Sequence, residues 1–115
     1  MTALVRCQTN YPNTGANLVS IHSREENEFV FGLTGRDPKH EIWLGGMMFN
    51  GQFTWADGTP FDYEQWLAGE PNNYKGVEMC LRMNHYKIGF AGSWNDARCN
   101  QRRPYVCKRF IGEET

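Results

Sequence analysis

The sequence predicts a single α+β domain. Three observations lead there: both helical stretches precede Gly35, short apolar strand-like runs follow them, and four cysteines are available to staple the whole. At 115 residues, with 40% apolar and 14% aromatic side chains, the chain is of single-domain size and long enough to bury a real core.

The elements follow in order. Residues 2–8, TALVRCQ, read as a helical fragment, broken by NYPNTG through Pro12 and Gly15. ANLVSI, 16–21, has the aliphatic and β-branched content of a short buried strand. It runs into Ser23-Arg24-Glu25-Glu26, a capping box in which Ser23 and Glu26 each satisfy a backbone N–H. A second helix therefore starts near Arg24, carries Phe29, Val30 and Leu33 on its apolar side and stops by Gly35. EIWLGG, 41–46, reads as a buried strand, and GQFTWADG, 51–58, as an alternating strand ending in an Asp-Gly turn. Residues 59–76 have two prolines and no strand alternation. A loop of that length is usually functional or disordered, and Phe61, Tyr63 and Trp66 give this one something to bury. Strand signals return in EMCLRM, SWNDARC and YVCKRF, each anchored by a cysteine. The four tryptophans read as core, the three histidines as surface or capping residues, and Arg98, Arg102, Arg103, Lys108 and Arg109 as a solvated face.

Composition excludes several functions. Twelve basic and thirteen acidic residues nearly cancel, which leaves no broad positive surface for nucleic acid or an anionic membrane. No apolar run approaches the ~20 residues needed to span a bilayer, so membrane insertion is not expected, and no cationic start leads into a continuous apolar stretch. Cys7, Cys80, Cys99 and Cys107 form no C-x-x-C, and His22, His40 and His85 are scattered, so zinc spacing is poor. Disulfides in an oxidising compartment are the better reading, with three pairings open. A nested pair, Cys7 with Cys107 and Cys80 with Cys99, would contribute roughly 4.7 and 3 kcal/mol in the chain-entropy model.

Oxygen donors concentrate in two places. Glu70, Asn72 and Glu78 lie on or just after the long loop, and Asn95 and Asp96 in SWNDARC. A bond between Cys80 and Cys99 would hold the segments carrying Glu78 and Asp96 side by side. Three carboxylates with two amide carbonyls are a hard, all-oxygen set, suited to calcium rather than zinc or copper. A cis Glu70-Pro71 bond would aim Glu70 and Asn72 the same way.

In this order, GANLVSIHSREEN, IWLGG, FTWADGTPFDYEQW, EPN, VEMC, SWNDARC and YVCKR make the chain resemble the C-type lectin-like domain family over nearly its whole length. The resemblance implies a double-looped α+β domain with two helices, two small antiparallel sheets, a long calcium-binding loop and the nested disulfides. It implies that residues 1–115 are one carbohydrate-recognition domain lacking the family's first strand. It implies Ca2+ held by Glu70, Asn72, Glu78, Asn95 and Asp96, with Glu70, Asn72, Glu78 and Asn95 also hydrogen-bonding two neighbouring sugar hydroxyls. E-P-N goes with mannose-type sugars in this family, so mannose, N-acetylglucosamine or fucose is expected, with Tyr74 and Ala97 touching the sugar.

Departures from the pattern set limits. The auxiliary calcium site's positions are Gly46, Asn50, Asn73 and Met79 here, so one principal ion is expected. The segment between Cys80 and Trp94 is longer than usual. A lectin-like domain binding a protein, with calcium only structural, is the alternative; such members commonly lose ligand residues that are intact here. An enzymatic reading fails, because calcium would keep Glu70 and Glu78 ionised and neither could act as an acid. Mannose-type glycans or glycoconjugates are the expected partners, at millimolar single-sugar affinity, with homo-oligomeric clustering supplying avidity. The place is secreted or the extracellular face of a membrane protein.

Overall fold

A computed structural model describes residues 2–35, 41–67, 70–71, 76, 79–84 and 92–109. Helix α1 spans Thr2–Asn10, where Ala3 and Cys7, one turn apart, are buried. Pro12 follows its end, and Asn13 and Gly15, both at positive φ, turn the chain into β1, Asn17–Leu18. Only two residues of the expected 16–21 strand pair regularly, with β6, Cys107–Lys108. The rest of that run is buried but crosses β2 instead: Gly45 N–H donates to Val19 O at 2.8 Å, and a Cβ on Gly45 would lie 2.7 Å from Leu18 O. Glycine at 45 is what permits the crossing.

Helix α2 spans Arg24–Leu33. Ser23 Oγ accepts from Glu26 N–H and Glu26 Oε1 accepts from His22 N–H, so the capping box reaches one residue further back than its usual form. Its buried stripe is Asn27, Val30, Phe31 and Thr34, while Phe29 and Leu33 are 68% and 57% exposed. The expected apolar side is thus corrected. Asn27 is buried because both ends of its amide find partners: Nδ2 donates to Gly92 O at 2.9 Å and Oδ1 accepts from Trp94 Nε1 at 2.8 Å.

The main sheet orders its strands β3-β2-β4-β5, all antiparallel: β2 Ile42–Phe49, β3 Gln52–Trp55, β4 Cys80–Met83 and β5 Trp94–Ala97. β2 runs three residues past its expected end because Asn50 and Gly51, at φ 50° and 79°, make a two-residue hairpin with Phe49 opposite Gln52. Ile42, Leu44, Leu81, Met83, Trp55 and Trp94 build one core with α2. Trp43, on the opposite face of β2, joins Ala3, Cys7, Leu18, Cys80 and Ala97 in a second. Both bridges end in that second cluster, pairing Cys7 with Cys107 and Cys80 with Cys99 as the resemblance implies. Trp43, Trp55 and Trp94 are buried core residues and Trp66 is half-buried. The two small antiparallel sheets and two helices complete the expected α+β fold. No helix among the described residues is long and apolar enough to cross a membrane.

Candidate functional site

The long loop is tied to the sheet in two places. At its start, Asp57 Oδ1 accepts from Thr59 N–H and Oγ1, and Asp57 Oδ2 accepts from Ser20 Oγ. Further on, Trp94 N–H donates to Gln65 O at 2.8 Å and Leu67 N–H donates to Trp94 O at 2.9 Å, a parallel bridge on the outer edge of β5. Glu70 N–H then donates to Leu67 O, turning the chain at the Glu70-Pro71 bond, which is cis. The E-P-N segment therefore begins next to the W-N-D strand.

On that strand Asn95 and Asp96 are both buried. Register sets Asn95 opposite Arg82 and Asp96 opposite Leu81, while Ala97 faces Cys80 and is itself buried. Glu70 is half-buried, with Oε1 hidden from solvent. Asn72, Tyr74, Asn73 and Glu78 lie outside the described residues. Three of the five expected ligands, Glu70, Asn95 and Asp96, are thus placed, and all three offer oxygen. Among the described residues no three His, Cys, Asp or Glu side chains form a metal-holding group. Of the auxiliary positions, Gly46 is buried in β2, Asn50 is used in the hairpin turn and Met79 is exposed.

Arg82 is a site neighbour that sequence reasoning missed. Its Nε donates to Asn95 Oδ1, and its Nη1 donates to Glu41 Oε1 at 3.0 Å. Arg103 shares Glu41 and stands 5.4 Å from the Trp43 ring, so two guanidiniums flank one carboxylate with little solvent access. An amide oxygen has two lone pairs and Arg82 occupies one, so the all-oxygen set still suits a hard cation. The signal was the position of Arg82 two residues after Cys80, which the disulfide and register turn into a cross-strand partner of Asn95.

The expected solvated basic face is also corrected. Arg103 is drawn in by Glu41, and Lys108 Nζ donates to Glu26 Oε2 at 2.7 Å and to Ser20 O at 3.1 Å. Arg98, Arg102 and Arg109 are exposed as expected. His22 Nδ1 lies 2.8 Å from Asp62 Oδ1 and its Nε2 3.2 Å from Ser20 Oγ. That order resembles a hydrolase triad, but Ser20 is fully buried and its hydroxyl proton goes to Asp57, so no nucleophile is presented. The hydrogen bond to His22 holds the Asp62 carboxyl below its ordinary range. Burial raises the Asp57 carboxyl, and the bonds from Ser20 and Thr59 with the Lys108 charge outweigh it, leaving Asp57 lowered.

Comparison with known proteins gives a consistent picture. The family described as Lectin C-type domain matches residues 2–109. A curated relative named Lectin, from Pleurodeles waltl, is 39% identical over 106 residues, 89% of this chain and 59% of its own length. Galactose-specific lectin nattectin, from Thalassophryne nattereri, is 33% identical over 99 residues, 83% of this chain and 60% of its own. The chain spans about three fifths of the length of these relatives. Among solved structures, C-type lectin CEL-I from Cucumaria echinata is similar at TM-score 0.79 and 28% identity, over 92% of this chain and 79% of that one. A calcium-independent type II antifreeze protein is similar at 0.77 and 27%, over 96% and 78%.

Proposed function

The chain belongs to the C-type lectin domain family, and from that premise we propose that it binds mannose-type sugars in a calcium-dependent way. One observation carries the reading: the backbone bridge from Gln65 and Leu67 to Trp94 starts the E-P-N segment beside the W-N-D strand. Glu70, Asn72, Glu78, Asn95 and Asp96 are the residues that would hold calcium. A calcium ion held there would supply a hard, positively charged centre for two neighbouring sugar hydroxyls.

The chain's own residues supply the rest. Carboxylates of Glu70 and Glu78 accept the hydroxyl protons, and the amides of Asn72 and Asn95 donate to the hydroxyl oxygens. Arg82 holds Asn95 Oδ1 and so fixes which end of that amide is the donor. E-P-N favours equatorial hydroxyl pairs of the mannose type; nattectin, named for galactose, makes galactose the informative competitor. Tyr74 and Ala97 are proposed to flank the sugar, Ala97 only through its backbone surroundings since its side chain is buried. The alternative, a protein ligand with calcium only structural, draws support from the Arg82 cation beside Asn95 and from the calcium-independent neighbour.

Retention on a mannose resin decides between them. Chelator is expected to abolish retention, free mannose to elute the protein and galactose to leave it bound, while Asn72→Ala loses retention with an unchanged circular dichroism spectrum. Retention that ignores chelator overturns the calcium-dependent mechanism.

A further inference from the structure

We propose that the hollow beside Glu70 is a second saccharide subsite, taking an uncharged pyranose linked to the sugar at the calcium site; this rests on the carbohydrate reading above. The hollow holds about 970 Å³, within the size range of ligand pockets, and is bounded by β3 on one side and the long loop on the other. Glu70 and Pro71 line it, so it is continuous with the E-P-N segment.

Its surface has two chemistries. Phe53, Phe61 and Trp66 are half-buried and mutually packed, Phe53 5.2 Å from Trp66 and 6.2 Å from Phe61 between ring centroids, so each keeps an apolar surface toward the hollow. Around them stand Gln52 and Glu64, both exposed, with the Glu70 carboxylate at the end. A pyranose presents the matching pair: a C–H face for an aromatic ring and a rim of hydroxyls for carboxylate and amide oxygens. Charge narrows the class further. Glu64 is an exposed carboxylate, and no Lys or Arg is among the described residues lining the hollow, so it offers sialylated and sulfated units no cationic partner.

Titration calorimetry in calcium tests this with methyl α-mannoside against the α1-2, α1-3 and α1-6 methyl mannobiosides. The unaltered protein is expected to bind at least one mannobioside at least fivefold more tightly than the monosaccharide. Phe53→Ala, Gln52→Ala and Glu64→Gln are expected to reduce that ratio below twofold while monosaccharide affinity stays unchanged. Gln52 and Glu64 are exposed, so their variants keep the test sound should Phe53→Ala fold poorly. Equal affinity for all four sugars, or variants that weaken monosaccharide and mannobiosides by one factor, overturns the subsite and leaves the calcium-site reading standing. Failure to bind any of the four overturns that reading and the subsite with it.

Discussion

Asn27 stands at a helix position where an aliphatic side chain would be the ordinary choice. Its amide closes two buried groups, the Trp94 indole N–H and the Gly92 carbonyl, and so ties α2 to the strand that carries the candidate site. Asn27→Leu would fill similar space but strand both partners, each at about 1–3 kcal/mol. A loss of about 2–6 kcal/mol is expected, read as a lower urea midpoint at unchanged slope. An unchanged midpoint would show that water satisfies both groups. The same residue explains why the helix was misread. Phe29, Val30 and Leu33 are the apolar side chains in the sequence, and a stripe drawn through them leaves Asn27 outside. Only the folded partners, 65 and 67 positions away, make burial of the polar residue cheaper than burial of Phe29. Arg82 was illegible for a related reason: a cation in an apolar strand has meaning only once Asn95 and Glu41 face it.

Elements depend on how the long loop is fastened. Ser20, Asp57, Thr59 and Lys108 form one network joining the segment after β1, the turn after β3 and β6. Asp57 has a lowered carboxyl, so its contribution to stability is present above the ordinary value of 3.8 and is lost as pH falls through the lower folded value. Asp57→Asn should therefore melt at a lower temperature at neutral pH, and the gap from the unaltered protein should narrow as pH falls below 3.8. A gap that stays constant across that range would show that shape, not charge, is what Asp57 provides. Much at this scale was legible: the capping box set the start of α2, and the loop aromatics Phe61, Tyr63 and Trp66 pack against the core as their residue type implies. The Asn50-Gly51 hairpin was legible too, but Asn50 enters the sequence reading only as an auxiliary calcium position and Gly51 only as the start of a strand. Strand extent was not, because ANLVSI is buried by crossing Gly45 rather than by pairing along its length. Of the site, Glu70, Asn95 and Asp96 were named from residue type and spacing, while the segment leading to Glu70 is held beside Trp94 by the Gln65–Leu67 bridge, for which the sequence carries no local signal.

Across the whole molecule the two disulfides divide the work differently. Cys7–Cys107 joins residues 100 positions apart, α1 to β6, and Cys80–Cys99 joins residues 19 apart at the end of the β4–β5 pair. In the chain-entropy model the first contributes about 4.7 kcal/mol and the second about 3, against a total of about 5–15 for a domain of this size. Position reverses that ranking for function. The shorter bridge closes the two strands that set Asn95 and Asp96, whereas the longer one lies across the second core cluster. Replacing Cys7 and Cys107 together by alanine is expected to give the larger fall in urea midpoint, with sugar affinity of the folded protein unchanged. Replacing Cys80 and Cys99 should cost less stability but weaken the proposed calcium and sugar binding, because the strand pair can then shift under Asn95 and Asp96, the candidate ligands it carries. Calorimetric titration with calcium and then methyl α-mannoside, run below each variant's melting temperature, separates the two. Calcium affinity lost on removing the long bridge and kept on removing the short one would reverse the assignment and place the site's rigidity in the second core.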